Sequence, residues 1–246
     1  MLTSQRKALL LDRLGRDGRL VASDLAADLG ISEDTIRRDL RDLAAQGRLV
    51  RVHGGALPAS PTHRPFQARL AMEAAAKARL GKAGATLIRP GQVVIMDGGT
   101  THLALVAAMP RDIGCTIVTH SPAIAAALEE HSNVEVILIG GRIFRHSMVA
   151  SGPIAQEAFS RLHADLCFLG VTGLHPQTGA TTGDAEEAAL KTTMTRVAAE
   201  TVVLATDDKL RVTSPWLVTP LSGLASVVTC GGRPDWLPDA VDHLDA

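Results

Sequence analysis

The chain has 246 residues, 46% of them hydrophobic and 21% charged, with 25 Lys and Arg against 26 Asp and Glu. That apolar share excludes a globally disordered chain. No run of about 18 uninterrupted apolar residues is present to span a membrane, and the charges within MLTSQRKALLLDRLG exclude a signal-peptide core. Cys115, Cys167 and Cys230 are far apart and form no CxxC pair, so the expectation is a cytoplasmic protein with reduced thiols and neither metal nor cofactor.

In chain order, residues 1–56 come first, with ten basic and eight acidic side chains; residues 67–246 have fourteen and eighteen. A mildly basic head on an acidic body is compatible with nucleic-acid binding by the head. Leu9, Leu10 and Leu14 share one face of a helix predicted over 4–16. Ser23 is the expected N-cap of a short helix through Leu29, which Gly30 ends. Ser32 caps a third helix from about Glu33 to Gln46, with Gly47 beyond it. The turn Gly30-Ile31-Ser32 has the length of a helix-turn-helix.

In the third helix, Ile36, Leu40 and Leu43 form the buried stripe, which leaves Thr35, Arg37, Arg38 and Arg41 facing outward. A short helix with Thr and Arg side chains fits a DNA major groove, reading base edges or phosphates. After Gly47, Arg48 to Gly55 alternates like a β-wing whose Arg48, Arg51 and His53 reach the DNA backbone or minor groove. The bland alternative is a solvated face in which these arginines pair with Asp34, Asp39 and Asp42. The neighbouring helix, turn and wing favour DNA.

Three prolines in residues 57–66 mark an extended linker, so the expected domains are 1–56, a winged helix-turn-helix, and 67–246. The Ala-rich stretch 67–88 reads as a helix. Apolar runs then alternate with helical stretches: strands at Val93–Met96, Cys115–Thr119, Val134–Ile139, Leu166–Leu169, Val202–Ala205 and Ala225–Thr229, and helices near 102–109, 121–131, 153–161 and 184–199. This is an α/β pattern with a parallel sheet covered on both faces. Ligands bind beyond the carboxyl ends of such strands. There lie Asp97-Gly98-Gly99-Thr100-Thr101, His120-Ser121, Gly140-Gly141-Arg142, Gly170 and Thr206-Asp207-Asp208-Lys209. The glycine and threonine loop suits a phosphate cradled by backbone amides and a helix N-terminus. Lys209 supplies a cation, and Asp97 or Asp207 accepts from sugar hydroxyls. The residues after Gly231 read as a turn and a short acidic helix.

The run Ser32-Glu33-Asp34-Thr35-Ile36-Arg37-Arg38-Asp39-Leu40, with Gly47 and Arg51-Val52-His53-Gly54-Gly55-Ala56, resembles the N-terminal signature of the DeoR family of bacterial transcription regulators. The likeness extends more loosely over 77–210. It implies a winged helix-turn-helix head and a sugar-phosphate-sensing body similar to ribose-5-phosphate isomerase and the CoA-transferase-like fold. Asp97 to Thr101 and Lys209 match family positions, as do Glu186, Glu187 and Lys191 at a Glu-rich helix start. Here Gly98 replaces a common Ser, His102 a third Thr and His120 an Asn, and Thr206 holds an acidic position.

The expected function is a non-enzymatic transcription regulator, a repressor of a carbohydrate catabolic operon. Its partners are double-stranded operator DNA and a phosphorylated sugar, and it acts as a homodimer or homotetramer, since paired heads meet half-sites ~34 Å apart. The competing readings are a sugar-phosphate isomerase-like enzyme with a DNA-binding head, and an architectural DNA-binding protein.

Overall fold

The structure is a computed structural model that describes residues 2–46, 48–58 and 65–246. The head contains α1 (Thr3–Asp17), β1 (Leu20–Val21), α2 (Ala22–Leu29), α3 (Glu33–Ala45), β2 (Leu49–Val52) and β3 (Gly55–Pro58). Its core is aliphatic: Leu10 and Leu14 of α1, Leu25 of α2, and Ile36, Leu40 and Leu43 of α3. Gly30 ends α2 in the left-handed conformation, at φ 62°. The three strands pair in the order β1-β3-β2, so β3 is central.

Ser23 does not cap α2. The N-cap is Val21, because the Ala22 amide at the helix start donates to the Gly54 carbonyl of the wing at 2.8 Å. The Ser23 hydroxyl turns to Asp24 instead. The linker also begins later than expected: Leu57 and Pro58 pair with Val50 and Leu49 in the wing, and Phe66 already opens a helix. Gly47 and residues 59–64 lie outside the described residues.

The body runs α4 (Phe66–Arg69), α5 (Ala74–Ala85), β4 (Val93–Met96), α6 (Thr100–Ala108), β5 (Cys115–Thr119), α7 (Pro122–Ala127), β6 (Val134–Leu138), β7 (Arg142–Phe144), β8 (Val149–Ser151) and α8 (Pro153–Ser160). It continues with β9 (Ala164–Phe168), β10 (Gly173–His175), β11 (Gly179–Thr182), α9 (Ala185–Val197), β12 (Ala198–Leu204), β13 (Trp216–Thr219), β14 (Ser226–Thr229) and β15 (Asp242–Asp245). Seven strands form one parallel sheet in the order β15-β14-β12-β9-β4-β5-β6. Alternate residues of its strands enter opposite cores, as the period of two requires. Ile95, Val118, Cys167, Val203 and Val227 pack under α8, α9 and the small sheet β10-β11-β13. Val94, Met96, Ile117, Phe168 and Val202 pack under α5, α6 and α7.

The single helix expected over 67–88 is two helices. Glu73, at φ 50°, adopts the left-handed conformation and separates α4 from α5, whose N-cap it is. The short acidic helix expected after Gly231 is instead β15. Pro234 and Pro238 interrupt the helical pattern, and β14 offers its backbone edge to Asp242–Asp245. Head and body touch at the end of α1. There Gly18 lies so close that a Cβ would sit 2.7 Å from the Thr213 hydroxyl and 2.9 Å from His175 Nε2. Among the described residues no helix is long and apolar enough to cross a membrane.

Candidate functional site

The head presents α3 outward. Ser32 Oγ accepts from the Thr35 amide at 3.3 Å and lies 2.9 Å from the Thr35 hydroxyl, which fixes the first turn. Asp39 turns inward with the apolar stripe, is only 2% exposed, and forms an ion pair with Arg6 of α1. Asp42 pairs with Lys7 of α1 at 2.7 Å. The pairing of these two carboxylates with the α3 arginines therefore does not form. Arg37 reaches back to Glu33 at 2.7 Å. Among the described residues no carboxylate lies within ion-pair distance of Arg38 or Arg41, and both are exposed. Arg48, Arg51 and His53, before, on and after β2, are exposed too. The head thus offers a cationic helix face with a cationic wing next to it.

The body has its own site at the carboxyl ends of β4, β9 and β12, which are neighbours in the sheet. From β4 the chain continues to β5 and β6 on one side; from β9 it continues to β12, β14 and β15 on the other. Open sheets bind ligands at such a switch point. A cavity of about 270 Å³ lies there, near the lower end of small-molecule pockets. Its wall includes Gly98, Gly99, Thr100, Thr101 and His102 after β4, Gly170 and Thr172 after β9, and Lys209 after β12. Arg69 of α4, His146 of the β7–β8 turn, and Asp184, Glu187 and Lys191 at the start of α9 also line it.

Gly99 has φ 139°, a conformation that admits little but glycine, and it turns the chain from β4 into α6. The first-turn amides of α6 have no intrahelical acceptor and, with the helix dipole, favour an anion. Lys209 stands by. Burial pulls its amine down to about 8, with Arg69, Lys191 and Lys77 adding repulsion and Asp208 opposing it. Burial likewise lowers His102 to about 4, so its imidazole is neutral near pH 7. Its Nδ1 lies 3.3 Å from the Gly98 carbonyl.

Asp97 does not line this cavity. It lies beneath it, 1% exposed, with both oxygens engaged. Oδ1 accepts from His120 Nε2 at 2.8 Å and from the Gly98 amide at 2.6 Å; Oδ2 accepts from Lys191 Nζ at 2.6 Å and from the Gly170 amide at 2.8 Å. Burial alone would raise this carboxyl, but Lys191 and His120 hold it well below the usual carboxylate range. Lys191 also donates to the Gly170 carbonyl and pairs with Glu187 at 3.4 Å. Glu187 in turn accepts from the Thr182 hydroxyl. The strand ends meet so closely that a Cβ on Gly170 would sit 2.8 Å from Asp97 Oδ2 and 3.0 Å from the Gly98 carbonyl. Asp97 therefore joins β4 to β9 and α9 and has no lone pair left for a sugar hydroxyl.

Five further residues expected at the ligand also lie away from it. His120 is fully buried, held between Asp97 and the Ala150 carbonyl. Ser121, equally buried, caps α7. The β7–β8 hairpin covers the end of β5, with the Ala150 amide donating to the His120 carbonyl. Gly141 and Arg142 start that hairpin, where Arg142 is exposed and pairs with Glu186. Asp207 is exposed and faces Gly231. Gly98, Gly99, Thr100, Thr101, Gly170 and Lys209 are brought together. Lys191 and Glu187 carried a signal, an i,i+4 pair on a predicted helix; Arg69 and His146 carried none. Among the described residues no cluster of three His, Cys, Asp or Glu side chains is placed to hold a metal ion.

Two family models match the chain: the DeoR-like helix-turn-helix domain over residues 6–62 and the DeoR C terminal sensor domain over residues 72–230. The HTH-type transcriptional regulator GlpR of Haloferax volcanii is 36% identical over 213 residues, covering 85% of this chain and 83% of that protein. The HTH-type transcriptional repressor GlcR of Bacillus subtilis is 30% identical over 93% of this chain and 89% of its own length. The L-fucose operon activator of Haemophilus influenzae is 29% identical over 98% and 97%. Among solved structures, ribose 5-phosphate isomerase A from Methanocaldococcus jannaschii superposes with a TM-score of 0.38 at 15% identity, over 55% of this chain and 53% of that one.

Proposed function

The chain belongs to the DeoR family of DNA-binding transcriptional regulators, and from that premise we propose that it represses a carbohydrate catabolic operon and is released by a phosphorylated sugar held in the body cavity. The head lays α3 in the major groove, where Arg38 and Arg41 form no ion pair among the described residues, and Ser32, Thr35 and Arg37 flank them. Arg48, Arg51 and His53 reach the backbone beside it. Two copies bind together, because half-sites one helical turn apart require two heads.

The observation that carries the effector reading is the polarity of the cavity. Lys209, Arg69 and the N-terminus of α6 supply positive potential for a phosphate, while Thr172, Ser214 and Asp184 line the same cavity and suit hydroxyl groups. A ligand shifts the DNA-binding equilibrium only through different affinities for the bound and released states. The test is fluorescence anisotropy on the duplex upstream of the protein's own gene, against a scrambled duplex, with a panel of sugar phosphates and their unphosphorylated forms. Weakening by one phosphorylated sugar alone supports the reading. Specific binding that ignores the whole panel removes the phosphate cavity from the mechanism, and tighter binding overturns release by the sugar and makes the ligand a promoter of DNA binding.

A further inference from the structure

The short helix α4 follows the interdomain connector directly and lies against the cavity. Its first residue, Phe66, is buried and its amide donates to the His146 carbonyl at 3.1 Å, which ties the segment to the β7–β8 turn. Its other end is held from α5: Lys77 Nζ donates to the carbonyls of Arg69 at 2.6 Å and Met72 at 2.5 Å. No carboxylate among the described residues forms an ion pair with Lys77, so this buried ammonium works on backbone carbonyls. The stretch 66–72 is therefore a strap, fastened to the body at both ends.

Arg69 stands on this strap. Its guanidinium lies 6.0 Å from the Phe66 ring centroid. It borders the main cavity and also a small cleft shared with Thr100, Lys77 and Lys209. Its Nε is buried and has no hydrogen-bond partner among the described residues. A guanidinium stays charged in proteins, and a buried donor left unmade is costly. Burial disfavours this charge, with Glu187 opposing in part. Lys209 and Lys77 nearby add to the positive potential. An oxyanion would satisfy Nε, and a phosphate matches the guanidinium fork.

We propose that Arg69 is an effector ligand delivered by the interdomain strap, so that a phosphate group in the cavity locks residues 66–72 onto the body and sets where the head is held. This rests on the reading of the cavity as a phosphate site. It adds a binding residue from outside the strand-end loops and makes the connection between sensing and DNA binding a direct contact. Anion binding and strap docking then stabilise one another by linkage.

The test uses the full chain and inorganic phosphate as the probe. Calorimetry on wild type, Arg69→Gln, Arg69→Lys and Lys209→Gln gives affinities. Hydrogen exchange across residues 66–72, with and without phosphate, reads the strap. We expect Arg69→Gln to weaken phosphate about tenfold or more, the scale of a lost charge-assisted hydrogen bond, and Arg69→Lys to recover part of it. Phosphate should slow exchange across 66–72 in wild type but not in Arg69→Gln at saturation. If Lys209→Gln weakens phosphate while both Arg69 variants bind within twofold of wild type, the inference is overturned and the phosphate cavity stands. Exchange across 66–72 that ignores phosphate in wild type overturns it as well. Wild type that binds no phosphate removes both the inference and the reading beneath it. Arg69→Lys keeps a positive charge on the strap and decides the matter if Arg69→Gln fails to fold.

Discussion

On α3 of the head, the inner face folds the domain and the outer face is left for a partner. Ile36, Leu40 and Leu43 fill the core, Asp39 and Asp42 are engaged by α1, and Arg38 and Arg41 stand in solvent. In the body the division runs through one short loop. Asp97 is sealed under the cavity by four hydrogen bonds, and its neighbours Gly98 to Thr101 form the wall above it. The charged residue at this strand end is thus structural, and the uncharged loop that begins one position later is what lines the cavity. Buried charges with every bond made are architecture; exposed or under-satisfied ones are where a ligand gains.

The largest test of that contrast is Asp97→Ala. It leaves Lys191 and His120 without their carboxylate and should cost ~3–5 kcal/mol in urea unfolding of the body. A loss below ~1 kcal/mol would move Asp97 from the frame to the ligand. Arg38→Ala and Arg41→Ala should do the reverse: unchanged unfolding, and ~1–3 kcal/mol weaker operator binding wherever the arginine reads a base. If the contact is to phosphate, binding should weaken evenly across sequences and the salt slope should fall.

A third test uses pH. The Lys209 amine, pulled down to about 8, is charged below that value and neutral above it. A bound phosphate favours the ammonium, so above about pH 8, where the phosphate is already dianionic, affinity should fall as pH rises, by up to about tenfold per unit. Calorimetry from pH 6.5 to 9.5 reads the slope, and Lys209→Arg should flatten it. The sign for folding is opposite: the unfolded lysine titrates near its ordinary 10.5, so between these values the unfolded chain binds more protons and this group's contribution to stability rises with pH. The smallest effect belongs to Arg142→Ala. Its ion pair with Glu186 is exposed on both sides, so stability should move by less than ~0.5 kcal/mol and phosphate binding not at all.

The head was legible because its signals are local. An apolar stripe of period 3.6, a serine cap and a glycine stop lie within one short stretch, and the outward face follows by subtraction. The six parallel strands called from apolar runs were legible for the same reason. The cavity was only half legible. Strand ends name candidate loops, but which loops meet depends on strand order, and the hairpin that covers β5 and removes His120 and Ser121 is built from three-residue strands too short to show a period. Arg69 lay in a stretch read as one long helix, where the left-handed turn at Glu73 had no glycine to announce it. The final strand, β15, exists because β14 offers it an edge, which no local pattern reveals.

The position of β3 has a mechanical consequence. The chain leaves the head from the middle strand of its small sheet, braced by β1 on one side and β2 on the other. A pull arriving along the connector loads two ladders in shear and does not peel an edge strand away. The head then answers as a solid lever, with the contact of Gly18 against Thr213 and His175 as its fulcrum. On the proposed function, a small travel at the strap would become a rotation of the recognition helix and, in a pair of such levers, a change in the distance between two grips on one duplex.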